Sequence, residues 1–264
     1  MLPRISKVEC HDADFLLFST PDLISNVLFK TGKWQDHILG ISKFMLSGIE
    51  RPLILDVGAN LGAYSIPLAK FVQNYQGEVI GFEPQRIVYY QLCANIVLNR
   101  LDNYHAMHCA VGDHAGEVDI PEIDYETNPN IGAFSLEQRY RQHENIEPSI
   151  KKKTSKVPLI SLNGFKTERP PSLIKIDVEG MELDVLRGGE DFLYKNNYPP
   201  LMFEAWNFEW FKNQKEQLMS YISQLGYNIV SLGLDDYVAQ HAKHQRYVDF
   251  QISDGRIDLS WVSK

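Results

Sequence analysis

Hydrophobic and polar positions along the chain alternate between short unbroken apolar runs and longer stretches of helical spacing. The runs Leu53–Val57, Glu78–Phe82 and Leu173–Ile176, with 201–203 further on, read as buried strands of a parallel sheet, apolar on both faces. Helical spacing predicts helices over 61–72, 87–98, from Met181 onward, and over 208–225. Pro67 is confined to the early part of the first of these or kinks it. A third strand is expected over 105–111, then a hairpin turning at 113–116 and returning through 118–120. A short strand is expected near 157–162, and edge strands, antiparallel, at 227–232 and 247–252. The first fifty residues read as a helical or mixed preface, with Leu23, Val27, Trp34, Ile38, Ile41 and Met45 at helical spacing. Residues 51–264 follow as the main domain, in which 121–156 is a polar excursion that reads as a loop or lid.

Strands alternating with helices predict an α/β fold, and in an open sheet of that kind ligands sit at the carboxyl ends of the strands. Four acids fall there: Asp56, Glu83, Asp177 and Glu204. Acids after strands are often helix caps, but four on one rim, two of them bracketing a turn with Gly58 and Gly62, point to a small-molecule site. Glycine at 58 and 62 would let a ligand approach the backbone. Glu83, some twenty residues after the turn, can accept hydrogen bonds from both ribose hydroxyls of an adenosine, a device that dinucleotide and S-adenosylmethionine sites share.

The turn separates these two readings. A dinucleotide site wants G-x-G-x-x-G, whereas Asn60 stands where the second glycine belongs. Asp56 would repel a pyrophosphate and suits the ammonium and sulfonium charges of S-adenosylmethionine.

The motifs D-V-G-A-N-L-G (56–62), G-F-E-P (81–84), A-V-G-D (110–113) and I-K-I-D-V-E-G-M-E-L-D-V-L-R-G (174–188) resemble the FkbM-type methyltransferases. The resemblance implies a class I methyltransferase fold, a Rossmann-like three-layer sandwich around a seven-stranded, mostly parallel sheet with an antiparallel edge strand. It also implies S-adenosylmethionine as cofactor and O-methylation of a sugar, glycan or related metabolite. Carried over by position, Asp56, Gly58, Asn60 and Gly62 would hold the methionine part, Glu83 the ribose, and Val111 to Asp113 would lie near the adenine. Asp177 would join the cofactor set. As proton acceptors for a hydroxyl the candidates are Asp177, Glu179 and Glu204; Glu179 could equally stabilise the dipole of the following helix. Asp177 and Glu179 could also place carboxylate oxygens on Mg²⁺, a use the residues do not favour.

Other features narrow the picture less. Net charge is −8, from 26 basic and 34 acidic side chains, with no basic stripe, so a nucleic-acid partner is not expected. Lys151, Lys152, Lys153 and Lys156 read as a solvated patch. Cys10, Cys93 and Cys109 are widely spaced and expected to be free thiols. Neither a signal peptide nor a membrane span is read, so a cytoplasmic location is expected. His105/His108 and His241/His244 have a metal-like spacing, but the first pair falls in an expected strand and the second in a polar tail; His241 or His244 could serve as an auxiliary base. Trp206, Phe208, Trp210 and Phe211 are expected to pack in the core more than to contact an acceptor. An NAD-dependent oxidoreductase, or a cofactor-binding protein without catalysis, remains as a rival, and N-methylation as a variant.

Overall fold

Strands β3 (Leu53–Val57), β4 (Glu78–Phe82), β9 (Leu173–Ile176) and β10 (Leu201–Glu204) form the parallel centre of a seven-stranded sheet in the computed structural model. The structure describes residues 2–125, 131, 150–253 and 256–262. The sheet order is β11-β12-β10-β9-β3-β4-β5, completed by β5 (Tyr104–Met107), β11 (Tyr227–Gly233) and β12 (Asp236–His241). Strand β12 runs antiparallel to both its neighbours and lies one place in from the edge, which β11 occupies.

Period-two alternation in β3 sends Leu53, Leu55 and Val57 to one core and Ile54 to the other. The Ile54 face carries helices α2 (Asp36–Leu46), α3 (Ser65–Gln73) and α4 (Arg86–Leu98). Helices α5 (Glu182–Arg187), α6 (Glu190–Lys195) and α7 (Lys212–Gln224) cover the opposite face through Val185, Leu186, Phe192, Leu193, Leu218 and Ile222. This is the three-layer, mostly parallel class I sandwich that the motifs implied. Pro67 is the third residue of α3, where a missing N–H costs nothing.

The first fifty residues contain a hairpin, β1 (Ile5–Glu9) and β2 (Asp14–Phe18), then α1 (Leu23–Thr31) and α2. The outer edge of β2 is capped by side chains of α4. Asn95 Oδ1 accepts from Leu16 N–H at 2.6 Å, Gln91 Nε2 donates to Leu16 O at 2.9 Å, and Asn99 bonds both polar groups of Asp14. Asn95 Nδ2 also donates to Leu61 O at 3.0 Å, so one buried amide joins this hairpin to the turn after β3.

Four expectations need correction. The run 105–111 is two strands: β5 in the main sheet and β6 (Ala110–Val111) in a second sheet ordered β6-β8-β7. The turn at 113–116 therefore joins strands that do not pair with each other, because β8 (Ile150–Ile160) lies between β6 and β7 (Gly116–Ile123). Both ends of the polar stretch 121–156 belong to β7 and β8; of the residues between them, 126–130 and 132–149 lie outside the described ones, and with them most of the expected lid. Finally, the strand near 247–252 is β13 (Val248–Ser253), which pairs with β14 (Arg256–Trp261) in a sheet of its own rather than at the edge of the main one. Among the described residues no helix is long and apolar enough to cross a membrane, and all three cysteines are free.

Candidate active site

The carboxyl ends of β3, β4, β9 and β10 open into a cleft of ≈ 340 Å³ that Asp56, Gly58, Asn60, Glu83, Asp177, Glu179 and Glu204 all help to line. A second, largely apolar slot of ≈ 270 Å³ adjoins it through Gly58, Pro84, Ile120 and Val178, and is lined by Phe82, Cys109, Val111 and Asp113 among others. The resemblance implied an amino acid and ribose in the cleft and adenine along the Val111 segment; the cleft gathers the acids and the slot is mostly apolar.

The turn after β3 is built by hydrogen bonds to the strand beside it. Gly58 and Ala59 N–H both donate to Phe82 O, Asn60 N–H donates to Glu83 Oε2 at 2.9 Å, and Gly62 N–H donates to Ala59 O. Leu61 N–H is engaged by Asn60 Oδ1 at 2.7 Å, with Asn60 itself in the left-handed region at φ 52°. Every backbone N–H from 58 to 62 is thus consumed inside the protein. A diphosphate cradle works by leaving such groups free, so this turn is unsuited to one.

Both glycines are also required by packing. At Gly58, φ +88°, a Cβ would fall on the carbonyl oxygen of Asp177; at Gly62, φ +89°, it would press into Ile66 and Leu92. Gly62, expected beside the ligand, lines neither cavity.

Asp56 is 1 % exposed and neither carboxylate oxygen has a hydrogen-bond partner among the described residues. Ser65 lies near it, but its hydroxyl is placed 2.8 Å from Tyr104 Oη. Burial pushes the Asp56 carboxyl up, opposed chiefly by the charge of Lys175. Lys175 and Ser65 offset part of that cost, and the two carboxylate oxygens without a hydrogen-bond partner leave acceptor capacity at the cleft wall for a ligand's donor or cation. The ammonium or sulfonium of S-adenosylmethionine would suit that capacity, while Glu83 keeps acceptor capacity beyond its two bonds, from Asn60 N–H and from Gln85 N–H at 2.8 Å.

On the acceptor side, Asp177, Glu179 and Glu204 each bring a carboxylate oxygen within 4.8 Å of the others. That spacing would suit a divalent cation, although Asp177 already meets the Lys175 ammonium at 2.7 Å. Burial, then the charges of Asp177 and Glu179, push the Glu204 carboxyl well above its ordinary range; Trp206 Nε1 donates to its Oε2 at 3.0 Å. Glu179 occupies the left-handed region at φ 58°. The helix-start role considered for it falls to Glu182, which accepts from Val178 and Gly180 N–H.

The aromatic group divides its work. Trp206 and Phe211 are buried, their ring centroids 4.8 Å apart, yet Trp206 and Phe208 also line the cleft. His108 stacks on Tyr89, and His241 lies at the end of β12, on the rim opposite the cleft, with its ring 4.0 Å from that of Tyr198. The auxiliary-base role is therefore removed from His241.

Lys175 was missed, although a lone lysine inside the apolar run Leu173–Ile176 is itself a signal, since an unpaired ammonium cannot be buried. Trp34 and Gln35, from the link between α1 and α2, also line the cleft and carried no such mark.

The family model for the methyltransferase FkbM domain matches residues 56–229. The chain belongs to this family. It is similar to "Methyltransferase sdnD" of Sordaria araneosa, 26% identical over 180 residues that cover 60% of this chain and 66% of that protein. It is also similar to "Methyltransferase 1" of Beauveria bassiana (strain ARSEF 2860), 25% identical over 149 residues that cover 52% of this chain and 58% of the relative. The chain thus spans less than two thirds of the length of these curated relatives. Among solved structures, methyltransferase FkbM from Methylobacillus flagellatus KT matches with a TM-score of 0.45 and 18% identity, over 73% of this chain and 45% of that one.

Buried carboxyls in this FkbM-domain chain carry a pH signature. Burial pushes Glu83 up to about 8 and Glu182 up to about 7. In the unfolded chain both release their protons near the ordinary glutamate value, so between about pH 4.5 and 8 the folded state binds more protons than the unfolded one. Stability of the ligand-free protein should therefore be highest at the acidic end of that window and fall as pH rises through it. Calorimetric melting at steps across the window should show this decline, and Glu182→Gln should remove part of it; a melting temperature that rises with pH would contradict the assignment.

Proposed function

We propose that this chain is an S-adenosylmethionine-dependent methyltransferase that O-methylates a hydroxyl of a sugar, glycan or related metabolite. The observation that carries the reading is the orphaned Asp56 carboxylate, buried beside Glu83 in a cleft that continues into an apolar slot. When bound, the cofactor supplies an activated methyl on a sulfonium, so orientation of the acceptor contributes much of the acceleration. Asp56 and the 58–60 turn would hold the amino-acid part, Glu83 the ribose hydroxyls, and the slot along Val111 and Asp113 the adenine.

A hydroxyl acceptor is supported by the part of the cleft wall that brings the carboxylates of Glu179 and Glu204 together with the aromatic side chains of Trp206 and Phe208. The Lys175 ammonium already occupies Asp177 Oδ2 at 2.7 Å, so Glu204 takes the proton-accepting role with Glu179 beside it. With its pKa raised, Glu204 binds a hydroxyl proton more strongly than an ordinary carboxylate once it is ionised.

Calorimetric titration with S-adenosylhomocysteine should show one site per chain, and labelled donor should transfer methyl to a polyhydroxylated acceptor. Glu204→Gln should lower turnover by about 100-fold while leaving S-adenosylhomocysteine affinity within about threefold. Tight NAD binding without S-adenosylhomocysteine binding would favour an oxidoreductase, and binding with no transfer to any acceptor would favour a non-catalytic protein.

A further inference from the structure

Lys175 is 6 % exposed, in the middle of the sheet. Its Cα pairs in register with that of Asp56 on β3, which puts both side chains on the same face of the sheet. The ammonium meets Asp177 Oδ2 at 2.7 Å and sits 5.2 Å from the centroid of the Tyr64 ring. Burial disfavours its charge, but Asp177 and Asp56 outweigh that and raise its pKa, so the lysine is held as a cation. Among the described residues that line the cleft it is the one basic side chain, against the carboxyls of Asp56, Glu83, Asp177, Glu179, Glu204 and Asp235.

We propose that Lys175 sets how strongly the cleft discriminates between the positively charged methyl donor and its uncharged-sulfur product, by matching the negative charge shared between Asp56 and Asp177. This rests on the methyltransferase reading. Donor and product share the amino acid, ribose and adenine and differ by a methyl group and one positive charge at sulfur. The ratio of their affinities therefore isolates the local charge of the site. Carboxylates left without a counterion would bind the donor's charge more tightly in the ground state than in the transition state, where that charge is being lost, and would slow the transfer. Lys175 trims that excess while leaving enough negative charge to attract the donor. It is a positioning and charge-setting residue, and needs no contact with the reacting atoms.

The test is calorimetric titration of the full chain with S-adenosylmethionine and with S-adenosylhomocysteine at low salt. Lys175→Met should shift the affinity ratio toward S-adenosylmethionine by ~10-fold, the size expected for one charge partly screened across a polar cleft. Asp177→Asn should shift it the other way by a similar factor. The double variant Lys175→Met/Asp177→Asn, whose pair is neutral like the wild-type one, should return the ratio to within about twofold, and Lys175→Arg should hold it unchanged. A merely structural ion pair would weaken both ligands together and leave the ratio alone, and that result overturns the proposal. If Lys175→Met does not fold, Asp177→Asn and the double variant carry the same comparison. Wild-type protein that binds neither compound overturns the methyltransferase reading, and this inference with it, whereas normal binding with an invariant ratio overturns this inference alone.

Discussion

Glu83→Ala should lower the affinity for S-adenosylhomocysteine by about 100-fold, if the lost carboxylate serves the ligand as proposed as well as the turn that faces it. In the structure its two oxygens accept from Asn60 and Gln85 N–H groups. Removing them leaves two shielded donors unpaired at ~1–3 kcal/mol each, on top of the proposed bonds to ribose hydroxyls. Glu83→Gln keeps the shape, but one end of its amide now meets an N–H with an N–H. It should cost an intermediate amount, about tenfold. Titration calorimetry on variants first shown to be folded by urea unfolding checks this. An unchanged dissociation constant in Glu83→Ala would remove the ribose role from this residue.

Gly58→Ala should be the most damaging single substitution near the site, at about 4 kcal/mol or more and a melting temperature lower by ~10 °C. The reason is not the positive φ alone, which costs an L-residue ~1–2 kcal/mol. The added Cβ would land on the carbonyl oxygen of Asp177, a backbone atom fixed by the Asp177 N–H bond to Val57 O at 2.9 Å. Gly62→Ala should be milder, since the Ile66 and Leu92 side chains it meets can shift. Equal melting temperatures for Gly58→Ala and wild type would show that β3 and β9 do not hold this approach in solution.

The glycines also show where sequence reasoning had the right position for an incomplete reason. D-V-G-A-N-L-G marked the turn correctly, but Gly58 and Gly62 answer to the neighbouring strand and helices as much as to any guest. Strands β3, β4, β9 and β10 were legible because burial on both faces leaves an unbroken apolar run. The acids that end them were legible for the same reason, being the first polar residues after such runs. What could not be read depends on distant partners. Strand β12 ends in Gln240 and His241, polar residues that look exposed; Gln240 is buried by exchanging hydrogen bonds with Val248, and His241 by stacking on Tyr198. The break between β5 and β6 has no local mark either, because which sheet a strand joins is decided by β8, some forty residues later. Lys175 was legible in principle, since a charge inside a buried strand must find its opposite, and Asp56 and Asp177 end the neighbouring strand and its own.

The stretch that matches the family begins at Asp56, yet Trp34 and Gln35, which precede it, form part of the cleft wall. The proposed donor-binding groups and this piece of wall are therefore encoded in separate segments, tied together by the Asn95 amide that bonds both Leu16 and Leu61. A chain with a different opening segment could keep the same grip and reshape the guest's berth, provided that it also offered Asn95 a strand edge to hold.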